Sequence, residues 1–206
     1  MAVVSAIKEE LLSDLTENLV PKLFSHLEKY LIKNNGAEGW LRRKFDAPLG
    51  QLPYLEVKGK KLPQSQAISR FLAHEFGLFG KSKVETATID AMTEALRDLE
   101  KPLTDWYHAK DETKKAELKK ELYEQKAPTL LKILEKQLSL NNEGSGWFVG
   151  ESITLADISF FDWVGWLTFG NPDVLADYPK LKGLHGRVKA YEPIAAWLAK
   201  RPETEF

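Results

Sequence analysis

The chain has no cysteine. That excludes disulfides, Cys-ligated zinc and every mechanism with a cysteine nucleophile. Any thiol chemistry must use a thiol that a ligand brings. Histidine is scarce and scattered: His26, His74, His108 and His185 never form an HxxxH pair, so no metal site is expected. Charge of either sign is never in excess, with 29 basic against 30 acidic residues and a net charge of −1. A nucleic-acid partner would call for a basic surplus, so none is expected. No apolar run reaches the ~20 residues that span a bilayer. Lys8, Glu9, Glu10, Asp14 and Glu17 interrupt the start, which is therefore no secretory signal. A cytoplasmic location without membrane contact is the default expectation. What is present is apolar mass. The 206 residues are 43% apolar, with six Trp and ten Phe, enough for one large domain or two small ones.

The most informative stretch is Pro48 to Leu72, PLGQLPYLEVKGKKLPQSQAISRFL. Tyr54-Leu55-Glu56-Val57, bounded by Pro53 and Gly59, has the composition of a short strand. Lys58-Gly59 turns the chain, and Lys61-Leu62 can return as a hairpin partner. Ala67, Ile68, Phe71 and Leu72 then follow at helical spacing. Ser65 stands where a helix cap belongs. Free amides at such a helix start, and the helix dipole, favour a carboxylate.

The order Gln51, Leu52, Pro53, strand pair, Gln64, Ser65 resembles the glutathione site of cytosolic glutathione transferases, nearest the sigma-like and nematode-type members. Their motif is a cis X-Pro bond, a strand pair, and Gln-Ser at a helix start. The resemblance implies an α+β, mostly helical fold. It further implies an incomplete thioredoxin-like N-terminal domain followed by an all-α C-terminal glutathione transferase domain.

Residues 6–33 carry a leucine ladder at Leu11, Leu15, Leu19, Leu23, Leu27 and Leu31, which predicts an amphipathic helix kinked at Pro21 and ended by Gly36. This segment has a twin. Shifted by 107 positions, Lys8, Glu10, Leu11, Leu15, Glu17, Pro21, Leu23, Leu27, Glu28, Lys29, Leu31, Asn34, Asn35, Gly39 and Trp40 fall on identical residues between Lys115 and Trp147. Chance would give about two matches at ordinary composition. Residues 1–39 thus resemble a C-terminal-domain helix standing where the family begins with strand, helix and strand, so the N-terminal domain is expected to be incomplete. Exon joining or a faulty gene model would produce this, and transcript sequencing across Gly36 to Lys44 separates the two. The expected organisation is 1–39 as the replaced start, 40–79 as the remainder of the glutathione-binding domain, and 84–206 as the all-α domain.

Gly77-Leu78-Phe79-Gly80-Lys81-Ser82 has two residues between its glycines where a Walker loop has four, and it follows a helix, so it reads as a linker. From Val84 the pattern predicts a helix running toward His108 and bent at Pro102, then a second helix over about 114–140. Thr154 and Asp157 form an acidic capping box with Ile153 and Ile158 as its hydrophobic staple. Short helices over about 179–190 and 193–200 complete the chain, with Pro179 at a first helical position.

The family resemblance implies roles. Gln64 and Ser65 would receive the γ-glutamyl carboxylate of glutathione, and Leu52, before the cis Pro53, would pair its backbone with the cysteinyl unit. Gln51 belongs to the same motif. Trp40 and Lys44 would take the glycyl carboxylate, and Asp98 would reach the γ-glutamyl amine across a homodimer. Trp106, Tyr107 and the tail to Phe206 would receive a small hydrophobic electrophile. Each has a plainer reading: Trp40 as a core residue, Lys44 as a surface lysine, Asp98 as a charge on a solvated face.

No catalytic residue is identified. The family's thiolate-holding Tyr ends the first strand, and none of Tyr30, Tyr54, Tyr107, Tyr123, Tyr178 and Tyr191 has that context. The resemblance implies a glutathione transferase that conjugates glutathione to electrophiles or uses it in isomerisation, in detoxification or lipid metabolism. The alternatives are a non-catalytic glutathione- or ligand-binding protein and a misassembled product without stable function. Glutathione is the only co-substrate implied, and no metal is.

Overall fold

The computed structural model describes residues 47–57 and 59–201. The helix expected over 6–33, its kink at Pro21, Trp40, Lys44 and Phe206 lie outside them. Two compact units divide the chain: residues 1–75 with 190–206, and residues 76–189.

In the first unit, β1 (Tyr54–Val57) and β2 (Lys60–Pro63) pair antiparallel, with Tyr54 opposite Pro63 and Val57 opposite Lys60. Gly59, at φ +75°, makes the turn, a conformation that costs glycine little. The opposed Glu56 and Lys61 carry opposite charges, and the Lys61 ammonium lies 5.2 Å from the Tyr54 ring centroid. Helix α1 (Ser65–Glu75) follows, burying Ile68, Ser69, Leu72 and Ala73 along one face. Gly77 lies just beyond its end at φ +69°, as a helix stop requires.

The second unit is helical throughout its regular structure. Its centre is a helix of residues Leu155–Gly170, whose first six residues are all buried. Such a helix has no polar face to turn to water and must be enclosed. It packs on the helix Lys83–Arg97, which buries Ile89, Thr93 and Leu96. We number the helices after α1 in chain order: α2 (Lys83–Arg97), α3 (Glu100–His108), α4 (Glu112–Glu121), α5 (Ala127–Ser139), α6 (Leu155–Gly170), α7 (Pro179–Ala190) and α8 (Glu192–Lys200). Helix α8 belongs to the first unit.

Two expectations from periodicity are corrected. The single helix bent at Pro102 is two helices, α2 and α3, which break at Asp98-Leu99. The amides of Asp98 and Leu99 bond three residues back, to Ala95 and Leu96, and this tightens the end of α2. Pro102 then sits in the first turn of α3, where its missing N–H costs nothing. The helix expected over 114–140 is likewise interrupted. A π turn, Leu122–Lys126, separates α4 from α5, and Pro128 is the second residue of α5. The wider turn accommodates a proline that would otherwise clash with the preceding carbonyls.

Side chains fix the loops to this frame. The Glu135 carboxylate accepts from the Lys180 and Leu181 amides at 3.0 and 2.8 Å, capping the start of α7 from another helix. Arg187 donates to the carbonyls of Gly144 and Gly146. The expected capping box at Thr154 and Asp157 is present, with the Thr154 amide and hydroxyl 2.8 and 2.7 Å from the carboxylate.

Asp162, on α6, is half-buried and has no hydrogen bond or ion pair among the described residues. Burial pushes its carboxyl up to about 7. The folded chain therefore holds this proton more tightly than the unfolded chain, whose carboxyl titrates near 4. Its contribution to stability is greatest below that value and is lost as pH rises to about 7. Asp162→Asn is expected to flatten the fall in unfolding free energy between pH 4 and 7. It should gain about 2 kcal/mol above pH 7, a figure discounted for partial solvent access. Urea unfolding of both proteins across that range checks it, and parallel pH profiles would overturn it.

Candidate functional site

The first unit brings together five of the eight residues expected to bind glutathione: Gln51, Leu52, Pro53, Gln64 and Ser65. Gly50 closes a turn onto the Ala47 carbonyl at 2.9 Å. Gln51 is exposed and Leu52 half-buried, and the Leu52–Pro53 peptide bond is cis. This bond delivers the chain into β1, and the hairpin returns it at Pro63 to the start of α1.

At that start the backbone is strained. Gln64 has φ +74°, a left-handed conformation that a glycine would adopt more cheaply. The Gln64 carbonyl accepts the first helical bond, from the Ile68 amide at 3.0 Å. Gln64 is therefore the cap residue, and Ser65 is the first residue of the helix. This corrects the expectation that Ser65 caps the helix. Its hydroxyl is exposed and makes no hydrogen bond among the described residues. The amides of Ser65, Gln66 and Ala67 precede the first helical bond and have no partner along the helix. Three amides, an unengaged hydroxyl and the positive end of a helix dipole suit one carboxylate.

In the second unit, Asp98 is exposed in the break between α2 and α3. Beside it lies an open groove of about 420 Å³ lined by Arg97, Glu100, Lys101, Thr104 and Asp105. Its charges are paired: Arg97 with Glu100 in the groove and with Glu94 outside it, Lys101 with Asp105 at 2.7 Å.

Trp106 and Tyr107, expected at an apolar subsite, both belong to α3 and meet rings from α6. The Trp106 centroid is 6.3 Å from that of Phe169, and Tyr107 lies 6.5 Å from Trp166 and 6.2 Å from Phe169. Trp106 is buried, whereas Phe169 is 58% exposed. The Lys119 ammonium sits 5.8 Å from the Trp106 centroid. Trp166 and Phe169 were not singled out by the sequence. Only their pairing with α3 makes them part of an aromatic face. Among the described residues no His, Asp and Glu cluster could hold a metal ion, and no helix is long and apolar enough to cross a membrane.

Comparison with known proteins agrees with this geometry. The family model described as glutathione S-transferase, C-terminal domain, matches residues 97–201, and the one described as glutathione S-transferase, N-terminal domain, matches residues 26–74. The N-terminal match begins inside the segment that repeats residues 115–147. The chain is 37% identical over 168 residues to S-crystallin SL11 of Nototodarus sloanii, which covers 81% of this chain and 82% of that one. It is 38% identical over 165 residues to hematopoietic prostaglandin D synthase of Gallus gallus, 80% of each chain. The solved structure of the glutathione S-transferase from Ascaris lumbricoides superposes with a TM-score of 0.74 at 32% identity, over 84% of both chains. With both domains matched, and relatives above 30% identity over most of their length, the chain belongs to the glutathione S-transferase family, among its sigma-like and nematode-type members.

Proposed function

We propose that this chain binds glutathione and transfers its sulfur to small hydrophobic electrophiles, or uses the thiol to isomerise an apolar substrate. The observation that carries the reading is the start of α1, where Gln64 is held at φ +74° beside the exposed Ser65 hydroxyl. The γ-glutamyl carboxylate is received by the Ser65 hydroxyl and the first amides of α1. The backbone at Leu52 pairs with the cysteinyl unit, and Gln51 and Gln64 complete the peptide-binding half. Trp40 and Lys44 take the glycyl carboxylate, and Asp98 serves the γ-glutamyl amine of a partner subunit in a homodimer. Trp106 and Tyr107, with the tail to Phe206, receive the electrophile. A cytoplasmic role in detoxification or lipid metabolism accords with these chemistries.

With an aryl halide the glutathione thiolate attacks the ring carbon. A C–S bond forms, halide leaves with the electron pair of the C–halogen bond, and the thiol proton goes to solvent. A free thiol near pKa 8.5 is only a few per cent ionised at neutral pH, so turnover depends on how far the site stabilises the thiolate. Among the described tyrosines, the Tyr123 hydroxyl already donates to the Leu167 carbonyl at 2.8 Å, and burial pushes its pKa up to about 12. It is thus not the thiolate's donor. No tyrosine of the chain has the sequence context of the family's thiolate donor, which favours one second reading, a glutathione-binding protein that does not turn over. Retention on immobilised glutathione, with conjugation of chlorodinitrobenzene above the buffer rate, supports the enzyme. Retention without turnover supports the binding protein. Loss of both defeats the proposal.

A further inference from the structure

The last turn of α6 is anchored by a contact that glutathione binding does not require. Tyr123, in the π turn Leu122–Lys126, donates its hydroxyl to the Leu167 carbonyl at 2.8 Å, and the Tyr123 hydroxyl oxygen in turn faces the Gly170 amide. The Tyr123 ring meets Trp106 edge-on, with centroids 5.7 Å apart and planes at 87°. The Lys119 ammonium lies over both rings, 5.8 and 6.0 Å from their centroids. A side chain at residue 170 would destroy this packing. A methyl there would overlap the Tyr123 hydroxyl and come within 2.6 Å of Trp106 Cη2. The π turn matters because each helical residue advances the azimuth by about 100°, so one extra residue in the turn re-aims Tyr123 relative to α5.

Three elements are thereby tied at one point: α3 through Trp106, the π turn through Tyr123, and the last turn of α6 through Leu167 and Gly170. That last turn carries Trp166 and Phe169, which meet Tyr107 at 6.5 and 6.2 Å. The spacing between the rings of α3 and those of α6 is thus set by one hydroxyl and by the absence of a side chain at residue 170.

We propose that Tyr123 and Gly170 are positioning residues for the second substrate. They hold Trp106 against the end of α6 and so fix the aromatic face of Trp106, Tyr107, Trp166 and Phe169, which thereby selects flat, conjugated electrophiles over branched aliphatic ones. This rests on the reading that Trp106 and Tyr107 receive the electrophile.

Two variants of the full chain test it. Tyr123→Phe keeps the ring and removes the hydroxyl, and Gly170→Ala adds the methyl. In conjugation assays Tyr123→Phe is expected to raise KM for chlorodinitrobenzene about fivefold, the value of one lost hydrogen bond, while KM for glutathione stays the same. The preference for the aryl halide over a branched alkyl iodide falls with it. A second arm needs no turnover. Titration with the apolar dye anilinonaphthalene sulfonate, read as Trp106 emission against a Trp106→Phe control, should weaken by about the same factor. If the parent chain conjugates nothing, that failure belongs to the proposed function, and the dye arm decides the positioning role. Unchanged dye affinity and Trp106 emission in Tyr123→Phe overturn the proposal, whether or not Gly170→Ala folds. So does an equal rise in both KM values, which would mark general loosening.

Discussion

Ser65→Ala is expected to weaken glutathione binding about 10- to 100-fold, the value of one hydrogen bond to a charged acceptor. The fold should be untouched. The Ser65 hydroxyl is exposed and engages nothing among the described residues, and its carbonyl still accepts the Ser69 hydroxyl at 2.9 Å. Alanine is also the better helix former at an exposed helical position. A loss of affinity by calorimetry, with the melting temperature constant, is therefore the expected pair of results. Affinity within twofold of the parent would remove Ser65 from the site. Gln64→Gly extends the experiment. Glycine adopts φ +74° without strain, so the backbone turn is retained while the side chain is lost. Reduced affinity without reduced stability would explain why a glutamine tolerates a conformation that suits glycine better. Undiminished affinity would show that the backbone alone makes the site.

Asp157→Ala is expected to cost about 2–4 kcal/mol of unfolding free energy, the largest stability effect of any surface-independent contact described above. The Asp157 carboxylate is fully buried and accepts three bonds: from the Phe148 amide at 2.8 Å, the Thr154 amide at 2.8 Å and the Thr154 hydroxyl at 2.7 Å. Truncation leaves these donors enclosed and unpaired. One offset keeps the figure moderate. Burial pushes the Asp157 carboxyl up to about 6 despite the three bonds, so at neutral pH the native state already bears part of the cost of a buried charge. The folded state holds this proton more tightly than the unfolded chain does. Stability from Asp157 is thus fully present near pH 4 and declines as pH rises to about 6. Denaturant unfolding of Asp157→Ala should show a larger deficit at the acid end of that window than above it. A deficit under 1 kcal/mol at every pH would mean that water replaces the carboxylate. Because Asp157 joins the start of α6 to the loop at Phe148, the deficit should appear as a lower midpoint with an unchanged denaturant slope.

The hairpin, the start of α1, the capping box and the order of helices were legible in the sequence because each depends on neighbours a few residues apart. A short strand-like run, a Gly turn, a Thr three residues before an Asp and a Pro at a helix start all act locally. The glutathione motif was legible for the same reason: Gln51 to Ser65 is one short path of chain. What periodicity missed are places where distant elements decide. Apolar spacing at Leu96, Leu99 and Leu103 runs unbroken through Asp98-Leu99, yet the chain breaks there, and between Leu122 and Ala127 it widens to a π turn. In both cases a proline a few residues on must be accommodated, and packing against other helices selects how. The left-handed Gln64 carries no signal in its own residue type, since glutamine is unremarkable before a helix. Its conformation comes from joining the end of β2 to the first turn of α1. The Tyr123–Leu167 bond joins residues 44 positions apart, and the glycine that admits it is ordinary until a tyrosine stands over it. The sequence by itself thus determined the family, the strand pair between Leu52 and Ser65 and most helices, because those are local patterns. Only the tertiary structure decided which backbone is strained, where helices break and which aromatic rings form a face, because these depend on contacts between segments far apart in the chain.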